Sequence, residues 1–255
     1  MAADPGLAGR LAIVTGALGT LGPTWTTALR EAGMEVVGID LAPAPPDHPT
    51  RIEVGDVTDR AALERIRAPV ESELGVPWLL LNNAGVDTPP VAGSTAASAE
   101  SIPLDEARRT HDVNVVGTLN AIQVFGPAMR DAGRGSIVNI GSLYASVAPE
   151  PSLYDHLEPP FVKPPAYGAS KAAVVNLTRY FARLWGPYGV RVNVLSPGGV
   201  RGGQDEDFLR KYCARVPLGR MAEPADLVGP LLFLASDASR YVTGQELRVD
   251  GGFTA

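Results

Sequence analysis

Short apolar runs, each closed by glycine or a small polar residue, recur along the chain and set its organisation. Leu11-Ala12-Ile13-Val14 is the first and Glu35 to Asp40 (EVVGID) the second. Arg51 to Val54, Trp78 to Leu81, Ser136 to Ile140, Arg191 to Leu195 and Gln245 to Val249 follow. Runs of this length, apolar without strict alternation, predict strands covered on both faces of a parallel sheet. Between them the pattern turns helical. Pro23 suits the first turn of a helix to about Arg30, with Gly33 placed to end it, and Thr58 or Asp59 suits the N-cap of a helix to about Leu74. One long helix is predicted from about Leu104 to Met129, another through Tyr167 to about Trp185, and a third over Glu223 to Ala235. Residues 42–50, with four prolines, and 86–102, rich in small residues, Ser, Thr and Pro, read as loops. Strands alternating with helices require crossover connections, hence an α/β fold: a doubly wound parallel sheet with helices on both faces. No linker, composition break or internal repeat divides the chain, so residues 1–255 read as one domain.

In such a sheet, ligands sit beyond the carboxyl ends of the strands. Gly16, Asp40, Asp56, Asn82 and Ser142 all fall at predicted carboxyl ends. The glycine-rich stretch Thr15 to Gly22 lies between a strand and a helix start, where glycines admit a pyrophosphate and free N–H groups point at it. Asp40 ends the second strand about 20 residues later. A carboxylate there accepts hydrogen bonds from ribose hydroxyls and repels a 2′-phosphate; the other reading is an ordinary strand-end aspartate. No Arg or Lys follows before Arg51, which favours NAD over NADP.

Composition narrows the classes. With 255 residues, 45% hydrophobic and 20% charged, the chain has the make-up of a globular protein with a substantial core. A net charge of −6 disfavours nucleic acid and anionic membranes as partners. No apolar run reaches membrane-spanning length, and Met1 to Gly9 lacks the apolar core of a signal peptide. The single cysteine, Cys213, allows no internal disulfide and reads as an inert thiol. With three histidines beside it, no metal-ligand cluster is expected. A cytoplasmic location follows as the expectation.

Tyr167-Gly168-Ala169-Ser170-Lys171 places a phenol and an ammonium one helical turn apart on one face. An ammonium there favours the phenolate, making a proton donor and acceptor for alcohol and ketone chemistry. Alone, such a pair more often marks a solvated helix face.

Taken with the other motifs, the chain resembles the short-chain dehydrogenases/reductases of the single-domain, Rossmann-like type, from Leu11 to Gly252. The marks are TGALGTLG, Asp40, GDVTD at 55–59, NNAG at 82–85, VNVVGT with Asn114, Ser142, YGASK, the SPGG turn and VTGQELRVDGG. The resemblance implies an oxidoreductase passing a hydride between NAD(H) and a secondary alcohol or ketone. Tyr167 would be the general acid/base, and Lys171 would lower its pKa and hold the nicotinamide ribose. Ser142 would bind the substrate oxygen, and Asn114 would place a water in a relay to Lys171. The cofactor would lie on Gly16, Leu18, Gly19, Thr20, Leu21 and Gly22, with Asp40 and Leu41 at its ribose. Asp56-Val57 would meet the adenine and Asn83-Ala84-Gly85 the adenosine ribose. Pro197, Gly198 and Val200 would complete its site. A homotetramer is implied through the helices at 104–129 and 166–185, with a dimer second. The ending and a long approach to Tyr167 are similar to a subgroup acting in sugar and sugar-acid metabolism, which points to a polyhydroxylated substrate. The alternatives are a sugar epimerase or dehydratase that uses NAD catalytically, and a cofactor-binding sensor without catalysis.

Three departures stand out. Thr20 occupies a usual glycine position. The spacing TGxxGxxG matches extended relatives instead, but those need a second domain for which this chain is too short. Ser142 and Tyr167 are 25 residues apart, against about a dozen in the family. The added segment, about 148–165, contains Pro149, Pro151, Pro159, Pro160, Pro164 and Pro165 with Tyr154, His156, Glu158 and Lys163. It is expected either to shape the substrate pocket, with Tyr154 and His156 the better candidates, or to be a surface excursion or subunit contact. Lastly, Val200-Arg201-Gly202-Gly203 stands where the family often has a carboxamide-binding threonine. Backbone near Val200 could serve there, or Arg201 could reach an anionic substrate. Residues 200–218 read as a lid over the site, and His111 as an ordinary helix histidine.

Overall fold

A computed structural model describes residues 6–88, 99–158 and 161–255. Most of the 86–102 loop, Pro159-Pro160 of the proline-rich segment and the first five residues lie outside the described residues. Seven strands form one parallel sheet: β1 (Leu11–Thr15), β2 (Glu35–Asp40), β3 (Arg51–Val54), β4 (Leu79–Asn82), β5 (Gly135–Ile140), β6 (Val190–Pro197) and β7 (Glu246–Val249). Their order is β3-β2-β1-β4-β5-β6-β7, so the direction of winding reverses between β1 and β4. The helices are α1 (Gly22–Glu31), α2 (Arg60–Leu74), α3 (Leu104–His111), α4 (Thr118–Asp131), α5 (Pro165–Trp185), α6 (Glu206–Cys213) and α7 (Val228–Ala235).

The continuous apolar runs have a physical cause. Successive residues of a strand face opposite sides, and both sides are covered. Ala12 and Val14 of β1 join Trp25 and Leu29 of α1 and Leu231 and Leu234 of α7 in one core. Leu11 and Ile13 join Leu63, Ile66, Phe125, Phe181 and Trp185 from α2, α4 and α5 in another. A buried chain of amides ties the layers at the site: Asn82 Nδ2 donates to Asn139 Oδ1 and Asn139 Nδ2 to Thr178 Oγ1, each at 2.8 Å. That chain locks β4 to β5 and β5 to α5.

Two expectations change. The long helix at 104–129 is interrupted by a π turn over Asp112–Gly117, with α3 before it and α4 after. Gly117 lets this segment sit against Val57, where an added Cβ would lie 2.6 Å from Val57 Cγ2. Within residues 200–218, where the sequence predicts no helix, Glu206–Cys213 form α6, N-capped by Asp205, which accepts from Phe208 N.

The proline-rich segment docks on α6. Leu153, Tyr154, Leu157 and Phe161 pack with Phe208, Tyr212, Val216 and Met221 in a third, smaller core. Ion pairs fasten its rim, Arg215 to Glu150 at 2.6 Å and Lys211 to Asp155. Pro151 opens a short 3₁₀ turn and Pro165 starts α5, while Leu153 and Tyr154 between them bury, so the segment and α6 make one cap over the carboxyl edge of the sheet. Among the described residues, no helix is long and apolar enough to cross a membrane.

Candidate active site

The glycine loop is shaped by two close approaches. Gly16 has φ +64°, and a Cβ on it would fall 2.8 Å from Ala84 Cα. A Cβ on Gly22 would fall 2.2 Å from Ala17 O. Gly19 and Thr20 have no such demand: both are exposed with φ below zero, so threonine stands at position 20 without strain. No side chain caps the start of α1, and its first turn carries Pro23. The loop is bound to the end of β4, because Thr15 Oγ1 accepts from Asn83 N and Ala84 N, each at 3.1 Å. Asn83 Nδ2 donates to Gly16 O, and Asn83 Oδ1 accepts from Trp25 Nε1, each at 2.8 Å.

Asp40 sits beside this loop. Its Oδ2 accepts from Leu18 N and its Oδ1 from Leu41 N, each at 2.8 Å, which leaves acceptor capacity on the carboxylate. Arg51, the first Arg or Lys after Asp40 in sequence, is held by Glu53 at 2.8 Å and Glu73 at 2.7 Å. Asp56 Oδ1 accepts from Thr58 N in a tight turn that aims Val57 at Gly117. A cradle that any Cβ would fill, an uncapped helix start and a carboxylate at the second strand end fit a dinucleotide.

Tyr167 lies on the first turn of α5 and Lys171 one turn on. The Lys171 ammonium is 5.7 Å from the Tyr167 ring centroid. It donates to Ile140 O at 2.8 Å, at the end of β5, and is buried. Burial lowers its pKa to about 8, partly countered by the charge of Asp87. Burial is also the chief influence on the Tyr167 phenol and pushes it above its ordinary value; Asp87 adds to this, while a hydrogen bond with Ser142 pulls it down. The lowering expected from Lys171 is not what governs Tyr167 in this state, because the buried phenol resists charge more than the neighbouring ammonium favours it. Ser142 also caps a short 3₁₀ turn, accepting from Tyr144 N at 3.2 Å.

Asn114 occupies the π turn and is buried. Its Oδ1 accepts from Val86 N at 2.8 Å, and its Nδ2 donates to Val86 O and Ser170 Oγ, each at 3.0 Å. A Cβ on Gly85 would lie 3.2 Å from Asn114 Oδ1 and 3.5 Å from Lys171 Nζ. Asn114, Gly85 and Lys171 therefore converge at one point, with Ser142 and Tyr167 beside it.

The substrate candidates separate. Tyr154 is buried in the cap against Phe161 and Phe208 at centroid distances of 5.1 and 5.4 Å. Its hydroxyl is hydrogen-bonded to Tyr144, whose ring meets Tyr167 edge-on at 6.5 Å. It thus stands one residue behind the site. His156 faces α6, with Nδ1 3.0 Å from Lys211 Nζ and Nε2 2.9 Å from Asp205 Oδ1. Arg201 is exposed and lies 3.9 Å from Glu223. Neither of these two is brought to Tyr167. Val200 pairs with Ala222, and Gly198 N donates to Val249 O at 2.9 Å, which fixes the turn after β6. Tyr212 of the cap grips the same turn, its hydroxyl accepting from Gly199 N at 2.5 Å.

Sequence reasoning missed Asp87 and passed over Lys163. Lys163 Nζ donates to both carboxylate oxygens of Asp87 at 2.8 Å and stands 5.4 Å from the Tyr167 ring centroid. Asp87 follows the NNAG strand end by two residues, a position that flags it; its partner lies 76 residues away and no spacing reveals it.

A family model described as Enoyl-(Acyl carrier protein) reductase matches residues 16–254. The galactitol 2-dehydrogenase of Rhizobium johnstonii is 32% identical over 97% of this chain and 96% of its own length. A crystal structure of a short-chain dehydrogenase from Leptospira borgpetersenii with bound NAD+ superposes with a TM-score of 0.88 at 31% identity, over 98% of this chain and 94% of that one. A gluconate 5-dehydrogenase from Burkholderia cenocepacia in complex with NADP and tartrate gives a TM-score of 0.83 at 30% identity, over 97% and 96%.

Proposed function

The chain belongs to the short-chain dehydrogenase/reductase family, and on that premise we propose that it is an NAD-dependent dehydrogenase of a polyhydroxylated secondary alcohol. One observation carries the reading: a half-buried Tyr167, hydrogen-bonded to Ser142 and flanked by Lys171, at the strand edge where the Gly16–Gly22 cradle would bring a dinucleotide.

The nicotinamide, when bound, supplies the hydride acceptor or donor. The protein's part is proton transfer and orientation. In oxidation, the substrate hydroxyl gives its proton to Tyr167 Oη as the carbinol C–H bond breaks. Ser142 holds the same oxygen and steadies the charge that develops on it. Lys171 stays charged below about pH 8 and favours the phenolate over the phenol. Asn114 holds Val86 and Ser170 beside Lys171, which supports its reading as the residue that positions a water in a proton relay to Lys171. NAD is favoured over NADP because Asp40 stands at the ribose position and Arg51 is engaged by two glutamates. A polyol substrate is supported by the galactitol-oxidising relative and by the polar groups the cap brings to the site. The assembly is a homotetramer through α4 and α5, in the cytoplasm.

The test is a screen of polyols, sugar acids and simple secondary alcohols with NAD+ and NADP+, read by absorbance of the reduced nicotinamide. Turnover with NAD+ exceeds that with NADP+. Tyr167→Phe loses roughly 10²–10⁴-fold in kcat while NADH fluorescence titrations are unchanged. Equal use of the two cofactors removes the reading of Asp40, and a fully active Tyr167→Phe removes that of Tyr167.

A further inference from the structure

Two ammonium groups flank the Tyr167 ring, Lys171 at 5.7 Å from its centroid and Lys163 at 5.4 Å. They differ in their partners. Lys171 donates to a backbone carbonyl, Ile140 O. Lys163 comes from the cap, and its side chain is only 5% exposed, yet it is neutralised by a carboxylate, Asp87, which is 40% exposed.

Counting donors and acceptors decides what this pair offers a ligand. An ammonium has three protons. Those of Lys163 go to Asp87 Oδ1 and Oδ2 at 2.8 Å and to Thr88 O at 3.3 Å. None remains for a substrate. The carboxylate has about four acceptor positions. Among the described residues, Oδ1 takes Lys163 and Thr88 N, whereas Oδ2 takes Lys163 alone. The pair therefore presents an open acceptor on its exposed member and no open donor.

We propose that Asp87, positioned by Lys163, accepts a hydrogen bond from a second hydroxyl of the substrate and selects neutral polyols over sugar acids. This rests on the dehydrogenase reading and names its substrate class. A hydroxyl brings the donor that Oδ2 lacks. A sugar-acid carboxylate brings only acceptors. To reach Lys163 it would have to break a two-pronged ion pair whose lysine is buried and leave two carboxylates side by side. The lysine of the proline-rich segment thus acts as a plug: its charge is spent on Asp87, which closes the site to anions and orients the carboxylate.

The experiment measures kcat and KM with NAD+ for galactitol, for gluconate and for cyclohexanol, in the wild type, Asp87→Asn and Lys163→Gln. NADH fluorescence confirms that each variant is folded and binds cofactor. The wild type prefers galactitol to gluconate. Asp87→Asn frees the Lys163 charge, so the galactitol-to-gluconate ratio of kcat/KM falls by about tenfold or more, mainly through KM. Lys163→Gln leaves Asp87 without its counter-charge, and the ratio does not fall. A purely structural role would move both variants the same way. A wild type that prefers gluconate, an unchanged ratio in Asp87→Asn, or a fall in both variants overturns the proposal. Turnover of cyclohexanol alongside any of these results leaves the dehydrogenase reading standing, whereas no turnover of any alcohol removes both.

Discussion

Lys171 carries two conflicting demands. Its ammonium is buried, which costs stability, and the fold keeps it beside Tyr167 all the same. Its folded pKa of about 8 lies below its ordinary 10.5. Between those values the unfolded chain binds a proton that the folded protein does not, so stability rises with pH across that window. Below about pH 8 both states are protonated and the full cost is present. Lys171→Met is expected to inactivate the enzyme yet raise stability at pH 7 by on the order of 1–3 kcal/mol. The gain shrinks towards zero by about pH 10.5, as read from melting temperatures at several pH values. A lower melting temperature at pH 7 would show that the lost packing outweighs the relieved charge. At this scale the sequence was informative where chemistry is local. Tyr167 and Lys171 are one turn apart on α5, Asp40 ends β2, and Ser142 follows the end of β5 by two residues. Asp87 and Lys163 were not legible as a pair, since the chain between them spans two helices and a strand. Tyr154 and His156 stood out in the sequence for their polar atoms, whereas the apolar Leu153, Leu157 and Phe161 set the packing of that segment.

Among elements, strands were the most legible. β2 and β3 begin and end as predicted: β2 is buried over Val36 to Ile39 between polar ends, and β3, a half-exposed edge strand, is bounded by the loop before it and the Gly55 turn after it. The π turn at Asp112–Gly117 was not legible, since no composition marks it and the apolar periodicity runs through it. Nor was α6, whose apolar face (Phe208, Leu209, Tyr212) faces the cap rather than the sheet. The cap's own core makes it testable. Leu153 is fully buried there, and Leu153→Ala is expected to cost about 2–5 kcal/mol locally. Because the cap meets Tyr144 and the turn after β6, substrate KM should rise several-fold while NADH binding changes little. A KM left at the wild-type value would separate the cap from the substrate site.

For the whole molecule, the doubly wound fold was legible in the alternation of runs, and the winding reversal between β1 and β4 puts the cradle where that fold class requires. Assembly was not, because it depends on surfaces. α5 exposes Tyr180 and Leu184, at 62% and 47%, one turn apart on one face. Replacing both with Glu is expected to halve the mass measured by light scattering, and an unchanged mass would place the interface elsewhere. The strand order also has a consequence in time. From β5 onward each strand docks on the one made just before it, so the sheet then extends at a single edge as the chain is synthesised. The cradle at residues 15–22 and its partner at 83–85 emerge early; Tyr167 follows some 80 residues later, on the order of ten seconds at ribosomal speed. The nucleotide half of the crevice can thus take shape on the nascent chain before the half that does the chemistry exists.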